Sequence, residues 1–233
     1  MNILSLESSA KPASAAVMRD GVVIGQFFQA SGLTHSRTLL VMCQELLKSL
    51  EMTMADIDGI AVASGPGSFT GIRIGLAAAK GLAWGADIPL CGVSTLEAMA
   101  HQLPHENAVI CPVMDARRNQ VYNARFSFEG GKLTRLCDDR AISLEDLTNE
   151  AKNDGKPYFL LGDGAHLCYN YMKSAGLSPV LPPDNIRWQS AWGVCLAAQG
   201  KPFVSPDDVF PNYLRLSQAE RERLARLAAE NKE

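Results

Sequence analysis

Ser64-Gly65-Pro66-Gly67-Ser68-Phe69-Thr70-Gly71-Ile72-Arg73-Ile74-Gly75 is the stretch whose reading decides the fold. An apolar run, Ile60 to Ala63, leads into it, and an Ala- and Leu-rich run ending near Trp84 follows. That order reads as strand, glycine-rich turn, helix. Gly65 and Gly67 permit a tight turn that leaves backbone N–H groups uncovered, and Ser68 or Thr70 can cap the helix behind it. A helix N-terminus of this kind can hold an anion. A Walker A loop needs Gly-Lys-Ser/Thr, and no lysine stands at that place, so a P-loop is excluded. The plain alternative is a tight connection with no ligand.

Outward from the loop, the helix is unusual. Between Thr70 and Trp84 only Arg73 and Lys80 are charged. Gly71, Gly75, Ala78 or Ala79, and Leu82 recur at helical spacing as a stripe of mostly small residues, while Ile72, Leu76 and Ala83 lie on a different side. An ordinary surface helix has one apolar stripe and one polar face, and this one has almost no polar face. The stretch Thr38 to Leu50 behaves alike: Leu39, Leu40, Val41 and Met42 are consecutive and cannot all face one core. Two neighbouring helices with surplus apolar surface imply a helix-to-helix contact with another chain, set against cover by the chain's own second half. The expected contact residues are Leu39, Met42, Cys43, Leu46, Ile72, Arg73, Leu76, Ala79 and Lys80.

The chain has 233 residues and a formal charge of −3, which allows a sizeable core in one or two domains and argues against strong autonomous nucleic-acid binding. Met1 to Glu7 lacks the basic start and long apolar region of a signal peptide, and no apolar run reaches membrane-spanning length. Six scattered cysteines, with no Cys-x-x-Cys pair, read as reduced buried thiols of a cytoplasmic protein.

Taken in order, Asn2 to Leu6 is a strand ending at Glu7, and Ser14 to Met18 a second. Asp20-Gly21 is a hairpin turn, and Val22 to Phe28 a third strand. Helix, strand (Asp58 to Ser64), glycine loop, helix, strand (Pro89 to Val93) and a short helix stopped by Pro104 follow. Then the order restarts. Val109 to Met114 is a strand ending at Asp115, Gln120 to Glu129 the next, and Leu133 to Cys137 the third beyond a Gly130-Gly131 turn. A helix capped by Ser143, a strand (Pro157 to Gly162) and helices over 165–174 and 189–199 complete the unit. Ser217 to Glu233 reads as a charged terminal helix. Meander followed by crossover gives a mixed sheet covered by helices. Two such units in series give an α/β chain with the duplicated actin, Hsp70 and sugar-kinase (ribonuclease-H-like) architecture, divided as 1–104 and 105–233.

In that architecture the strand-end acids Glu7 and Asp115 are placed to serve phosphate and metal-bound water. Beside Asp115, however, stand Ala116, Arg117 and Arg118 where close phosphate approach wants glycine. The expectation is therefore a weak or vestigial ATP or ADP site made of Glu7, Gly65, Gly67, Ser68 and Asp115, with no catalytic residue and no resident cofactor. His101 and His105 are four apart, but Pro104 breaks the helix between them and no third ligand is evident, so no metal site is expected. No Ser/His/Asp or Cys/His set is spaced for nucleophilic catalysis.

Four blocks carry a family resemblance: Met1 to Ser9; Gly65-Pro66-Gly67-Ser68-Phe69-Thr70-Gly71-Ile72-Arg73-Ile74-Gly75; Gly92-Val93-Ser94-Thr95-Leu96; and Asp115-Ala116-Arg117-Arg118-Asn119-Gln120-Val121-Tyr122. Together with Tyr213-Leu214-Arg215 they resemble the TsaB (YeaZ) family over the whole chain, with Glu7 where members usually carry aspartate. The resemblance implies a role in making threonylcarbamoyladenosine beside the tRNA anticodon. It implies a non-catalytic subunit that pairs with the catalytic paralogue TsaD, is joined by the ATPase TsaE, self-pairs when alone and meets tRNA only through the complex. It also lays the paralogue's His-x-x-x-His metal ligands onto Thr95 and Met99, neither of them a useful ligand here. A stand-alone ATPase and a metallopeptidase-like enzyme are the competing readings.

Overall fold

A computed structural model describes residues 1–215; the expected helix over 217–233 lies outside the described residues. The first sheet is built from β1 (Asn2–Glu7), β2 (Ala13–Arg19), β3 (Val22–Gln29), β4 (Gly59–Gly65) and β5 (Leu90–Ser94), in the order β3-β2-β1-β4-β5. β1 pairs antiparallel with β2 and parallel with β4. The β2–β3 turn uses left-handed backbone at Asp20 and Gly21, as an Asp-Gly hairpin requires. Helices α1 (His35–Ser49) and α2 (Phe69–Ala86) close one face of this sheet. Ser68 caps α2, its hydroxyl accepting from Gly71 N at 3.2 Å.

The second sheet, β8-β7-β6-β9, repeats the plan with β6 (Val109–Asp115), β7 (Gln120–Glu129), β8 (Lys132–Ser143) and β9 (Tyr158–Leu161). Helices α3 (Thr95–His101), α4 (Leu144–Asp154) and α5 (Ala165–Ser174) accompany it. The duplicated α/β architecture expected from the element order is present, with two mixed sheets flanked by helices. β8 runs to Ser143 instead of ending at Cys137, because it pairs with β7 back to Gln120. The helix expected over 189–199 is shorter. A single turn, α6 (Asp184–Arg187), precedes it, Ser190 is extended, and α7 spans Ala191–Ala198.

The chain then does something the element order did not reveal. α7 is apolar all round and packs on the open face of the first sheet, its Val194, Cys195 and Ala198 against Ile3, Ala16, Met18, Ala61 and Val93. Val204 bridges to Leu90, and Val209 joins the core beneath α1 and α2. The expected second lobe, 105–233, is therefore not one packing unit: residues 191–213 belong with the first sheet, because α7 can bury its whole circumference only by crossing back. The return is tight. A Cβ on Gly193 would lie 2.2 Å from Ala98 O, so α7 and α3 meet backbone to backbone.

Candidate functional site

A cleft of about 590 Å³ separates the two sheets. The carboxyl ends of the parallel strands point toward it, the usual place for a site in open α/β sheets. Its walls include Ser9, Lys11, Gly67, Ser68, Asp115, Arg117 and Asp163, and one side is closed by Tyr213 to Arg215.

The glycine loop forms one wall, but its glycines serve the chain itself. A Cβ on Gly65 would meet Asn212 O at 2.4 Å, and one on Gly67 would meet Ser9 O at 2.5 Å. Ser68 N donates to Ser9 O at 2.6 Å, and Asn212 N donates to Ser64 O at 2.7 Å. The expectation of a loop with uncovered N–H groups is corrected at Ser68 N for that reason. The closing segment is fixed at both ends. The Tyr213 ring stacks on Phe69 at 4.7 Å and its hydroxyl accepts from Arg73 Nε at 2.9 Å, while Arg215 Nη1 donates to Ala116 O at 2.6 Å.

Glu7 and Asp115 do not form the matched pair expected from their strand-end positions. Glu7 is buried; its Oε1 accepts from Ser9 N at 2.5 Å, and its Oε2 has no partner. Burial pushes its carboxyl up to about 7, against the opposing pull of the Ser9 contacts. Asp115 is exposed and its Oδ1 accepts from Arg117 N at 2.7 Å. Arg117, Arg118 and Asn119 then run through three successive left-handed conformations. The acid whose field reaches Glu7 is Asp163, just beyond β9, itself raised by burial and held by Gln189 Nε2 at 3.0 Å. Sequence reading missed Asp163 and Gln189. The available signal was an acid between two glycines, Gly162-Asp163-Gly164, at a strand end.

The second candidate surface is the outer side of α1 and α2. Of the nine residues expected to meet a partner, Leu39, Met42, Cys43, Leu46, Ile72, Leu76 and Ala79 are buried in this chain's own core, packed with Leu4, Leu6, Val17 and Val62 of the first sheet. That assignment is corrected: the richest side of each helix faces the sheet. Arg73 and Lys80 do lie toward the surface. The apolar residues that remain exposed are their neighbours Leu33, Leu40, Val41 and Trp84, the last two 55% exposed. Gly81 and Gly85 face open space. Lys80 Nζ stands 5.9 Å from the centre of the Trp84 ring and 5.4 Å from that of Phe210, which is 70% exposed. A groove of about 710 Å³ adjoins this face between Leu40, Leu47, Met52 and Leu82.

A family model described as TsaD: tRNA N6-adenosine threonylcarbamoyltransferase matches residues 29–173. The chain is 33% identical over 226 residues to the tRNA threonylcarbamoyladenosine biosynthesis protein TsaB of Bacillus subtilis, covering 94% of this chain and 96% of that one. The chain belongs to the TsaB family. It is 38% identical over 152 residues to TsaB of Escherichia coli, covering 64% and 65% of the two chains. Its fold superposes on YeaZ from Pseudomonas aeruginosa with a TM-score of 0.77 at 25% identity, over 91% of this chain and 99% of that one.

Within this TsaB-family chain, the positions onto which the resemblance lays the paralogue's metal ligands are fully buried. Thr95 Oγ1 has no hydrogen-bond partner, and Met99 packs with Leu96, Phe126 and Leu161. A hydroxyl and a thioether do not fit that metal's site. His101 is held below the usual imidazole range chiefly by burial, while His105 turns to the Phe159 ring at 4.2 Å. Among the described residues, no three His, Cys, Asp or Glu side chains converge on a metal, and no helix is long and apolar enough to cross a membrane.

Proposed function

We propose that this chain is the non-catalytic scaffold subunit of the assembly that places threonylcarbamoyl on the tRNA adenosine beside the anticodon, and that it activates a TsaD-type catalytic paralogue by pairing with it. The observation that carries this reading is the exposed apolar surface on two adjacent helices, Leu40 and Val41 on α1 and Trp84 on α2, beside glycines that let another helix come close. In the absence of the paralogue the same face pairs with a second copy. A TsaE-type ATPase joins the pair, and tRNA is met through the complex in a cytoplasmic setting.

Two features of the cleft favour a supporting role over chemistry. Asp115 spends one carboxylate oxygen on the Arg117 backbone, and the glycine loop gives Ser68 N to Ser9. What is left is a pocket with Lys11 and Arg117 in its walls, suited to weak adenine-nucleotide binding. The competing reading, a stand-alone ATPase, requires metal-dependent hydrolysis that is lost in Asp115→Ala.

The deciding experiment is reconstitution of tRNA modification with purified TsaD- and TsaE-type partners, with and without this chain, alongside solution masses. Modification should depend on the chain, and Val41→Glu combined with Trp84→Glu should abolish both pairing and modification while the chain stays folded. Full modification without the chain, or unaltered pairing by the double variant, refutes the reading.

A further inference from the structure

The first sheet ends on an edge that nothing among the described residues protects. A sheet edge presents a row of unpaired N–H and C=O groups that will pair with another chain unless it is covered or charged. Three of the fold's four edges are managed in this way. β5 is covered: Leu90 N donates to Val204 O and Val204 N to Leu90 O, both at 2.9 Å. β9 is covered by Val180, whose N donates to Tyr158 O at 2.8 Å and whose O accepts from Leu160 N at 2.9 Å. β8 is guarded by charge, with Lys132, Arg135, Asp138, Asp139 and Arg140 along it. β3 has neither device. It reads Val22-Val23-Ile24-Gly25-Gln26-Phe27-Phe28-Gln29, without a charge or a proline, and among the described residues its backbone bonds to no backbone beyond β2. A bulge at Ile24, where Val17 faces Gly25 and Met18 faces Val23, leaves residues 25–29 as the regular part of the edge.

The side chains beside that edge suit an added strand. Gln26 lies opposite Ala16 and Phe28 opposite Ser14. Ala16 packs under α7 and Ser14 Oγ accepts from Ala191 N, so Gln26 and Phe28 stand on the α7 face of the sheet. The helix layer stops short of covering them, and Phe28 is 44% exposed. Gln26 and Phe28 line a hollow of about 470 Å³ with Asp184, Asn185 and Trp188, while Val23 and Gln26 line a second of about 300 Å³ with Trp192. Two of the chain's three tryptophans thus flank one strand edge. Every second residue of a strand laid along β3 would point onto them. Among the described residues Asp184 is the only charged one in the two linings, and its side chain is 77% exposed although Oδ1 holds Arg187.

We propose that β3 receives an extended segment of a partner polypeptide as a sixth strand of the first sheet. The segment is apolar at alternate positions, where its side chains meet Trp188, Trp192 and Phe28, and it carries a lysine or arginine toward Asp184. Backbone hydrogen bonds to residues 25–29 supply affinity, and the tryptophan hollows supply selectivity. The docking edge uses none of the residues of the helix face assigned above to the catalytic paralogue, Leu40, Val41 and Trp84, so it is a second point of attachment.

The test uses the full chain carrying Val41→Glu and Trp84→Glu, which takes the helix face out of play and leaves Trp188 and Trp192 as the only tryptophans. A displayed library of linear decapeptides is selected on this chain. It is counter-selected on the same chain with Gln26→Lys and Phe28→Lys, both at exposed positions. Enriched sequences should alternate large apolar residues and include a basic one. A synthetic enriched peptide should change tryptophan fluorescence saturably and slow amide exchange within residues 25–29. It should bind the lysine variant about tenfold or more weakly, as a charged edge resists pairing. N-methylation of every second peptide amide should abolish binding in one phase and spare it in the other, because only one edge of the peptide faces β3. Circular dichroism checks that the lysine variant is folded; if it is not, the two N-methylated peptides decide. No enrichment over the variant, or equal binding by both N-methylated peptides, overturns the assignment. So does exchange at residues 25–29 of the free chain as slow as in β1, which would mean that the chain covers this edge itself. A dimer of the doubly substituted chain that disappears with Gln26→Lys and Phe28→Lys would give the edge to a second copy and overturn it too.

Discussion

Gly71→Ala should destabilise the protein although the position lies inside a helix, where alanine ordinarily gains about 1 kcal/mol over glycine. The reason is the approach of the first hairpin to α2. A Cβ on Gly71 would sit 2.1 Å from Ser8 O, whereas ordinary contact begins near 3.4 Å. The hairpin cannot simply retreat: Ser8 Oγ donates to Gly71 O at 2.9 Å, and the next residue is held by Glu7 Oε1 and by Ser68 N. Relieving the clash moves a packed backbone segment, a cost of about 1–3 kcal/mol. It also strains hydrogen bonds worth about 1 kcal/mol each. Set against the propensity gain, the net loss is about 1–3 kcal/mol. Gly81→Ala on the same helix is the internal control. Nothing lies within 4 Å of its Cβ, so it should gain up to about 1 kcal/mol. Urea melts followed by far-ultraviolet circular dichroism, at unchanged m, give both differences. A Gly71→Ala midpoint at or above wild type would show that the hairpin does not press on α2 and would sink the packing argument.

Trp84→Glu should leave the urea midpoint within about 0.5 kcal/mol of wild type, as an exposed site does. Leu76→Glu, at a position only 5% exposed in the core over the first sheet, should cost several kcal/mol by burying a charge without a partner, about 3 kcal/mol or more. Similar stability for the two would reverse the facing of α2. Native alkylation with iodoacetamide should label at most Cys137, the one cysteine not buried. Burial pushes Cys43, Cys168 and Cys195 up to about 12, so the thiolate is disfavoured and raising the pH to about 9 should not recruit them. Two or more labels per folded chain, counted by mass, would contradict this. Arg215→Ala removes two hydrogen bonds that tie the closing segment to the β6–β7 turn, and should cost about 1–2 kcal/mol. Amide exchange should speed up at residues 116–120; unchanged exchange there would mean that the segment does not brace the turn.

Local signals carried most of the element order. Asp20-Gly21 announced its hairpin, Ser68 its helix and Ser143 its cap, because each depends on backbone chemistry within three or four residues. β8 was read short because Asp138, Asp139 and Arg140 look like a strand's end. In the structure Asp139 accepts from Arg135 and Ser94, and Arg140 donates to Glu150. Those ionic partners let a charged edge strand continue.

The helix faces failed differently. Helical period says which residues share a side but not which side meets the sheet. For α1 and α2 both sides are apolar enough to qualify. What decides is volume: Leu39, Met42, Leu46, Ile72 and Leu76 fill the space over β1 and β4. The flatter side, with Ala77, Gly81 and Gly85, is left outward. The cleft floor was hidden for a third reason. Glu7 and Asp115 are visible as strand-end acids, but Ala191 N meets Ser14, the partner of Glu7 in the β1–β2 ladder, only because α7 folds back over the first sheet, and Gln189 beside it then holds Asp163. The apolar composition of Ala191–Ala198 requires burial all round without naming the surface that provides it. A contact spanning more than half the chain is therefore set by core packing elsewhere, and the chemistry of the floor follows from that packing.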